Sequence, residues 1–272
     1  MERVKDPEGA RQAAHKVVQT HQRLSRFVRA GQRLAEIDRF VAETLQDLEC
    51  KSAFLHYRVP RLPPFPSHSC LSLNECVVHG TATYYRDPLK PGDLLSIDIG
   101  VKYKGWIGDA AWTYAIECAS DEAQKLMNAG KESLRLGCEQ LQPGSDYLQW
   151  AKAVQDHVEK ECGFHCIRGL GGHGYGHKLH GPPFISNVIP LDPDEWPDAW
   201  TIIQPGTLVA VEPMLGVSTG RIAQDSRKWP IYTADDSLSC HYEHDVYISE
   251  NGPEILTAEL ANLPDIVGNG KI

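Results

Sequence analysis

The chain carries one motif twice, first as Lys90-Pro91-Gly92-Asp93-Leu94-Leu95-Ser96-Ile97-Asp98 and again as Gln204-Pro205-Gly206-Thr207-Leu208-Val209-Ala210-Val211-Glu212. In both copies a Pro-Gly turn leads into a short apolar run that is typical of a buried strand and ends in a carboxylate. The carboxylates Asp98 and Glu212 are 114 residues apart. Two unrelated Pro-Gly turns would also give such a match. Whether the chain contains a duplication therefore depends on the residues around the motif.

The residues around the motif repeat with it. Two helix-breaking glycines, Gly31 and Gly144, are 113 residues apart. Helical spacing of apolar residues and the turn signals predict the same order, two helices and then strands, in each half of the chain. The predicted helices begin near Glu8, Leu34, Ser120 and Ser145, and the predicted strands cover 69–73, 76–79, 94–100, 106–116, 164–168, 207–213 and 241–249.

This order predicts an α+β fold with a pseudo-twofold axis, in which duplicated helix-helix-strand halves surround a central curved antiparallel sheet. The length of 272 residues allows one large domain or two small ones. We expect a single catalytic domain over 1–272, with halves at about 6–118 and 119–257 and a tail at 258–272. The duplication accounts for the length without a second domain.

Composition excludes several classes of protein. With 42% hydrophobic and 23% charged residues the chain is not disordered, and a formal charge of −9 argues against sequence-specific nucleic-acid binding. No apolar run is long enough to span a membrane, and the N-terminus lacks the apolar core of a signal peptide. The eight cysteines are then expected to be free thiols in the cytoplasm. A structural zinc site at Cys162 and Cys166 would need a second close pair, which the sequence lacks.

Four acidic residues occupy related positions in the two halves. Asp98 and Glu212 end the repeated strands, and Asp109 and Glu243 lie in the strands that follow them. Four carboxylates meeting at the pseudo-twofold axis would repel one another unless cations neutralised them. Carboxylates with an imidazole suit Mn, Fe, Co or Zn.

The imidazole candidate is His173, in the glycine-rich stretch 171–177. Glycines let the backbone pass close to a site, and they would also suit a nucleotide-binding loop. That alternative fails because residues 178–183 contain two prolines and cannot open a helix. We interpret His177, His241 and His244 as neighbours of the site rather than as ligands.

The order of the five ligands resembles that of the pita-bread metallopeptidases, and of type I methionine aminopeptidases in particular. The resemblance covers about residues 6–257 and depends on several short motifs. They are Ser96-Ile97-Asp98, His173-Gly174-Tyr175-Gly176, Val211-Glu212-Pro213-Met214, Tyr242-Glu243-His244 and Ser72-Leu73-Asn74-Glu75-Cys76-Val77-Val78-His79-Gly80.

The resemblance implies a pair of divalent ions, Co, Mn, Fe or Zn. Asp109 and Glu243 would bridge the two ions, Asp98 would hold one, and His173 and Glu212 would hold the other. It also implies hydrolysis of the bond after an initiator methionine that precedes a small residue. The expected partners are the N-termini of nascent polypeptides, with transient ribosome association, no membrane and a monomeric enzyme.

The resemblance further implies the roles of the residues around the metals. Glu212 would also transfer the proton. His180 would hydrogen-bond the scissile carbonyl, and His79 would contact the scissile amide nitrogen. Cys70 and Trp229 would line an apolar pocket for the methionine side chain.

Three features depart from that family's usual pattern. Leu179 stands where an aromatic residue usually precedes the histidine, and Pro182-Pro183 replaces an acidic stretch. The proline-rich segment 58–66 is longer than usual and is expected to shape the pocket rim, although it could also be read as an SH3-type ligand. The acidic segment 190–198 is interpreted as a solvated surface loop.

Three alternatives remain. A prolidase or aminopeptidase P shares the five ligands but normally has a further N-terminal domain, and only 89 residues precede Lys90. A type II methionine aminopeptidase would need a helical insertion where only 31 residues separate His180 from Glu212. A metal-free binding protein of the same fold would be expected to have lost ligands.

Overall fold

The computed structural model describes residues 3–269. Residues 1–2 and 270–272, which belong to the predicted domain and tail, lie outside the described residues. The four α-helices are α1 Glu8–Phe27, α2 Leu34–Asp47, α3 Asp121–Glu139 and α4 Leu148–Gln155. Short 3-10 or π turns cover Asp156–Glu161, Pro197–Trp200 and Ala258–Asn262.

The strands follow the helices in each half. They are β1 Lys51–Ser52, β2 Cys70–Leu73, β3 Cys76–Val78, β4 Leu94–Tyr103, β5 Trp106–Ile116, β6 His165–Cys166, β7 Gly171–Gly174, β8 Gly181–Ser186, β9 Thr207–Val211, β10 Met214–Gly216, β11 Ile222–Gln224, β12 Ile231–Thr233, β13 Ser239–His241, β14 His244–Ser249, β15 Gly252–Ile255 and β16 Ile266–Val267. The order of two helices and then strands in each half confirms the predicted α+β class.

Most predicted helices begin close to the expected residue, and one does not. The Ser120 hydroxyl accepts the Ala123 N–H and caps α3 as expected. The prediction that Ser145 caps α4 is wrong, because α4 begins only at Leu148. The Ser145 carbonyl accepts the N–H of Ile203 at 2.8 Å, and the neighbouring residue forms a bridge to residue 202. This pairing holds Ser145 in extended backbone instead of at a helix start.

Hydrogen bonding forms two five-stranded sheets and two three-stranded sheets in the described residues. In one five-stranded sheet β1, β4, β5 and β16 are neighbours in that order, with β2 also paired to β4, so β16 from the C-terminal tail joins strands of the first half. In the second half the order is β15, β14, β9, β7, β8. The three-stranded sheets are β13-β10-β6 and β11-β12-β3, and the latter joins strands of both halves.

Strands β7 and β8 were not predicted, because their glycines and prolines hide the strand pattern. The glycines let neighbouring backbones come close together: a Cβ on Gly172 would lie 2.3 Å from the carbonyl oxygen of Ala210 in β9. The close approach brings His173, which pairs with Ala210, next to β9, the strand that Glu212 directly follows.

The two halves meet where β5 lies beside β14. The Glu243 N–H donates to the carbonyl of Ala111 in β5, and the Asp109 N–H donates to the Asp245 carboxylate, both at 2.9 Å. Side chains of both halves form one continuous buried core, which includes Trp112. The acidic residues therefore lie at the junction of the halves.

The repeated strands differ in where the carboxylate lies. The prediction that Asp98 ends its strand is wrong, since β4 continues to Tyr103 and pairs with β5 up to Trp106. A tight turn at Lys104-Gly105, where both φ values are positive, lets the hairpin extend beyond the site. Glu212, by contrast, directly follows the last residue of β9. Within residues 3–269, no helix is both long and apolar enough to cross a membrane.

Candidate metal centre

Strand register places the four predicted carboxylates on one cavity. Asp98 lies opposite Ala111, and Asp109 lies opposite Gly100, so both side chains project from the same face of the β4–β5 hairpin. Glu212 and Glu243 lie one residue beyond the last pair of β9 and β14. All four side chains line a cavity of about 550 Å³.

His173 lies between acids of the two halves. Its Nε2 atom is 3.8 Å from Asp109 Oδ2 and 3.8 Å from Glu212 Oε1. Ligand atoms of Asp109, His173 and Glu243 all lie within 4.8 Å of one another. The predicted imidazole and the predicted carboxylates therefore come together, with Asp98 next to Asp109.

His241, interpreted from the sequence as a neighbour of the site, lies in direct contact with this cluster. Its Nε2 atom is 3.1 Å from Glu212 Oε2, and it forms a second group with Glu212 and Glu243 whose ligand atoms also lie within 4.8 Å. A signal for it was present in the sequence. His241 and Glu243 are two positions apart in extended chain and so point to the same side.

The other two neighbouring histidines point elsewhere. His244 Nδ1 lies 2.9 Å from the Thr257 hydroxyl, away from the cavity. The His177 ring packs on Trp106 with ring centroids 4.1 Å apart. Neither residue lines the cavity.

Asp245 is a fifth buried carboxylate that the sequence interpretation missed. One of its oxygens accepts the Asp109 N–H, and its other oxygen, Oδ1, has no hydrogen-bond partner in the described part of the chain. The buried Tyr175 hydroxyl is likewise without a partner there. Asp245 therefore fixes the backbone at Asp109 from behind the cluster.

Burial makes the ionised carboxylates unfavourable in the absence of cations. It raises the pKa of Asp98 to about 7 and raises that of Asp109 well above its ordinary value, with the Asp98 charge adding to the effect. The pKa of Glu243 is also raised well above its ordinary value, mainly by burial and next by the charge of Asp109. Burial also raises the pKa of Glu212. Burial lowers the pKa of His173 to about 3, so its imidazole is neutral and free to act as a ligand.

The donor set fits divalent cations. Asp98 Oδ1 and Asp109 Oδ1 are buried oxygens without a hydrogen-bond partner among the described residues. Unsatisfied buried acceptors are costly, and so is a cluster of like charges. Bound cations would remove both costs, and carboxylate oxygens with imidazole nitrogens suit Mn, Fe, Co or Zn.

An apolar pocket adjoins the acidic cluster. Cys70 lies directly opposite Asp98 across the β2–β4 pair, and burial keeps its thiol neutral by raising the pKa well above the ordinary value. Trp229 and Leu179 belong to the same apolar group. The group also contains Phe54, Phe65 and Ile107. The structure thus places Cys70 and Trp229 together, beside the predicted ligands.

His79 and His180 lie in the cavity wall above the cluster. The His79 ring meets Trp229 edge-on with centroids 5.9 Å apart, and the His180 ring meets His173 at 4.3 Å. Burial lowers the pKa of His79 to about 4, with His241 and His180 contributing, and burial lowers the pKa of His180. Both imidazoles are therefore neutral at neutral pH and each can donate one N–H.

Comparison with known proteins agrees with this arrangement. Metallopeptidase family M24 matches residues 8–250. Methionine aminopeptidase from Aquifex aeolicus is 36% identical over 256 residues, covering 86% of this chain and 95% of that protein. The crystal structure of methionine aminopeptidase from Thermotoga maritima superposes with a TM-score of 0.84 at 30% identity, covering 94% of this chain and 99% of that one.

Prolidases are more distant. The prolidase from Pyrococcus furiosus gives a TM-score of 0.70 at 20% identity, and the match covers 93% of this chain but 65% of the prolidase. That similarity concerns the fold alone. The family resemblance and the pita-bread fold expected from the motifs are confirmed.

Proposed function

The chain belongs to metallopeptidase family M24, and we propose that it is a metal-dependent exopeptidase that removes the initiator methionine from nascent proteins with a small second residue. The observation that carries this proposal is the joining of an apolar pocket, walled by Cys70 and Trp229, to a cluster of carboxylates and imidazoles in one cavity. The methionine aminopeptidases among its relatives support it.

We propose that the cluster binds two divalent ions, which would be held by five side chains, Asp98, Asp109, His173, Glu212 and Glu243. Divalent cations held there would supply Lewis acidity and lower the pKa of a water molecule. His241, 3.1 Å from Glu212, orients the carboxylate of that ligand. The same oxygen and nitrogen donors accept Co, Mn, Fe or Zn.

The chain's own side chains carry the proton transfer and bind the scissile bond. Glu212 takes a proton from the attacking water and returns it to the departing amine. His180 donates an N–H to the scissile carbonyl oxygen, where negative charge develops. His79, which also lines the cavity, contacts the scissile amide nitrogen.

Cys70 and Trp229 bind the methionine side chain. The neutral Cys70 thiol and the Trp229 indole offer a polarisable, apolar surface that suits a thioether. Leu179 lies in the same pocket, where relatives usually carry an aromatic residue, so the pocket remains closed by an aliphatic side chain.

The proposed substrate determines the proposed partners and place of action. The enzyme acts in the cytoplasm on the N-termini of nascent polypeptides, in transient association with ribosomes, and works as a monomer. One catalytic domain over 1–272 is required, because each half holds only part of the ligand set. Asp98 and Asp109 come from the first half, whereas His173, Glu212 and Glu243 come from the second.

A peptide assay tests the proposal. The metal-stripped protein is reconstituted separately with Mn, Fe, Co or Zn and offered Met-Ala-Ser and Ala-Pro peptides. Release of methionine from Met-Ala-Ser without cleavage of the Ala-Pro peptides is the expected result. Cleavage of the Ala-Pro peptides alone would assign the protein to the prolidase-like alternative.

A further inference from the structure

Tyr57 is the polar partner of His180. The Tyr57 hydroxyl oxygen lies 2.6 Å from His180 Nδ1, and the two rings meet edge-on with centroids 5.1 Å apart. Within residues 3–269, neither side chain has another hydrogen bond to protein. Tyr57 is therefore the side chain that hydrogen-bonds the His180 ring in the described residues.

The backbone around Tyr57 is held in place by short hydrogen bonds. The Tyr57 N–H donates to Phe54 O at 2.8 Å, and the Tyr57 carbonyl accepts the Phe65 N–H at 2.9 Å. The carbonyl of Phe65 in turn accepts the N–H of His56 at 2.8 Å. The proline-rich residues 58–64 form the loop that these bonds close.

The loop is also tied to the far wall of the pocket. The Trp229 indole N–H donates to the carbonyl of Pro63 at 2.9 Å, and its ring meets Phe65 edge-on with centroids 5.1 Å apart. Prolines restrict the backbone between these anchors. The Tyr57 hydroxyl is thus presented to His180 from a braced loop.

We propose that Tyr57 is a positioning residue that fixes the neutral tautomer of His180 by donating its O–H to Nδ1, which leaves the proton on Nε2. This proposal rests on the function proposed above. A phenol keeps its proton at neutral pH, and Nδ1 is the acceptor within reach of it in the described structure. The Nε2–H then points away from Tyr57 into the cavity.

The tautomer decides what His180 offers to a substrate. A proton on Nε2 gives a donor for the negative charge that develops on a scissile carbonyl oxygen, whereas the other tautomer would present a lone pair and repel it. His180 lies outside regular secondary structure, in the segment that follows β7. Because that segment does not itself restrain the ring, an external partner is needed to hold it.

Tyr57→Phe removes the donor and keeps the ring. Loss of one oxyanion donor typically lowers kcat by 10²–10³-fold, and a mixed tautomer keeps part of that donor, so we expect kcat to fall about tenfold with KM for Met-Ala-Ser unchanged within about twofold. Tyr247→Phe is the matched control. It removes a hydroxyl that donates to Val4 O at 3.2 Å, at a residue that does not line the cavity, and should leave activity unchanged.

A double variant separates positioning from a structural effect. If Tyr57 acts through His180, adding Tyr57→Phe to His180→Ala lowers activity no further. A full tenfold further loss in the His180→Ala background would overturn the proposal.

Histidine ¹⁵N spectra test the tautomer without any substrate. His180 is assigned by comparison with His180→Ala, in the metal-free and the zinc-loaded protein. The wild type should show a proton on Nε2 and none on Nδ1, and Tyr57→Phe should show a mixture of tautomers. A wild-type proton on Nδ1 would refute the proposal. An inactive wild-type enzyme would instead contradict the proposed function and leave the spectra interpretable.

Discussion

Asp98→Asn should stabilise the metal-free protein and weaken the stabilisation that metal provides. In the folded chain, burial raises the pKa of Asp98 from 3.8 to about 7. The folded protein therefore binds this proton more tightly than the unfolded chain does. The resulting stability is complete below pH about 4 and is lost as the pH rises through about 7.

The free energy that corresponds to this pKa shift of Asp98 is large compared with the free energy of unfolding of a domain. A difference of about three pKa units corresponds to up to about 4 kcal/mol, against a typical total of about 5–15 kcal/mol. Asparagine has no proton to lose, so metal-free Asp98→Asn should be more stable than the wild type at pH 8 and equal to it near pH 4. With metal present the difference narrows, because saturation at about 100 times Kd stabilises the wild type by about 2.7 kcal/mol and the variant by less.

Urea unfolding followed by circular dichroism measures both effects, at pH 4 to 8, with a chelator and with Mn or Zn. Asp87→Asn, at an exposed position, is the matched control and should change neither series. The reasoning fails if metal-free Asp98→Asn is no more stable than the wild type at pH 8. It also fails if metal stabilises both proteins equally.

Three further substitutions test the site and its support. His173→Ala should abolish turnover and reduce bound metal by elemental analysis; an active variant with full metal content would remove His173 from the ligand set. Gly172→Ala should lower the free energy of unfolding in urea by about 1–3 kcal/mol, because its Cβ would lie 2.3 Å from Ala210 O. Gly176→Ala, where a Cβ meets nothing within 4 Å, should be nearly neutral, and equal losses would contradict this account. Trp229→Ala should lower kcat/KM for Met-Ala-Ser about tenfold, mainly through KM, and an unchanged KM would exclude Trp229 from the pocket.

Strand register explains why the carboxylates could be found from the sequence. A repeated strand motif and a short hairpin are local patterns, and alternation along the strands determines which side chains share a face. The positions of Asp109 in β5 and Glu243 beside β14 could therefore be predicted from their sequence spacing to Asp98 and Glu212. The end of β4 could not be predicted in this way, because the length of a hairpin depends on the turn that closes it.

Contacts made through loops could not be predicted from the local sequence pattern. Tyr57 lies 123 positions from His180, and their hydrogen bond depends on how a proline-rich loop folds back on itself. Proline shows that residues 58–66 are neither helix nor central strand, but it does not show which side chain the loop carries into the cavity. His241 is different, since its spacing of two positions from Glu243 can be read from the sequence and places both side chains on one side of the chain.

The carboxylates at the junction of the two halves explain part of the chain's negative net charge. Four of the acids behind the formal charge of −9 are the proposed ligands, and they repel one another where β5 meets β14. Apolar burial elsewhere must offset that repulsion in the metal-free protein. Two divalent ions would bring the charge to about −5 and turn the repulsion into an attraction shared by both halves. Metal binding and the docking of the halves should therefore be coupled, so that a cation stabilises the junction it binds.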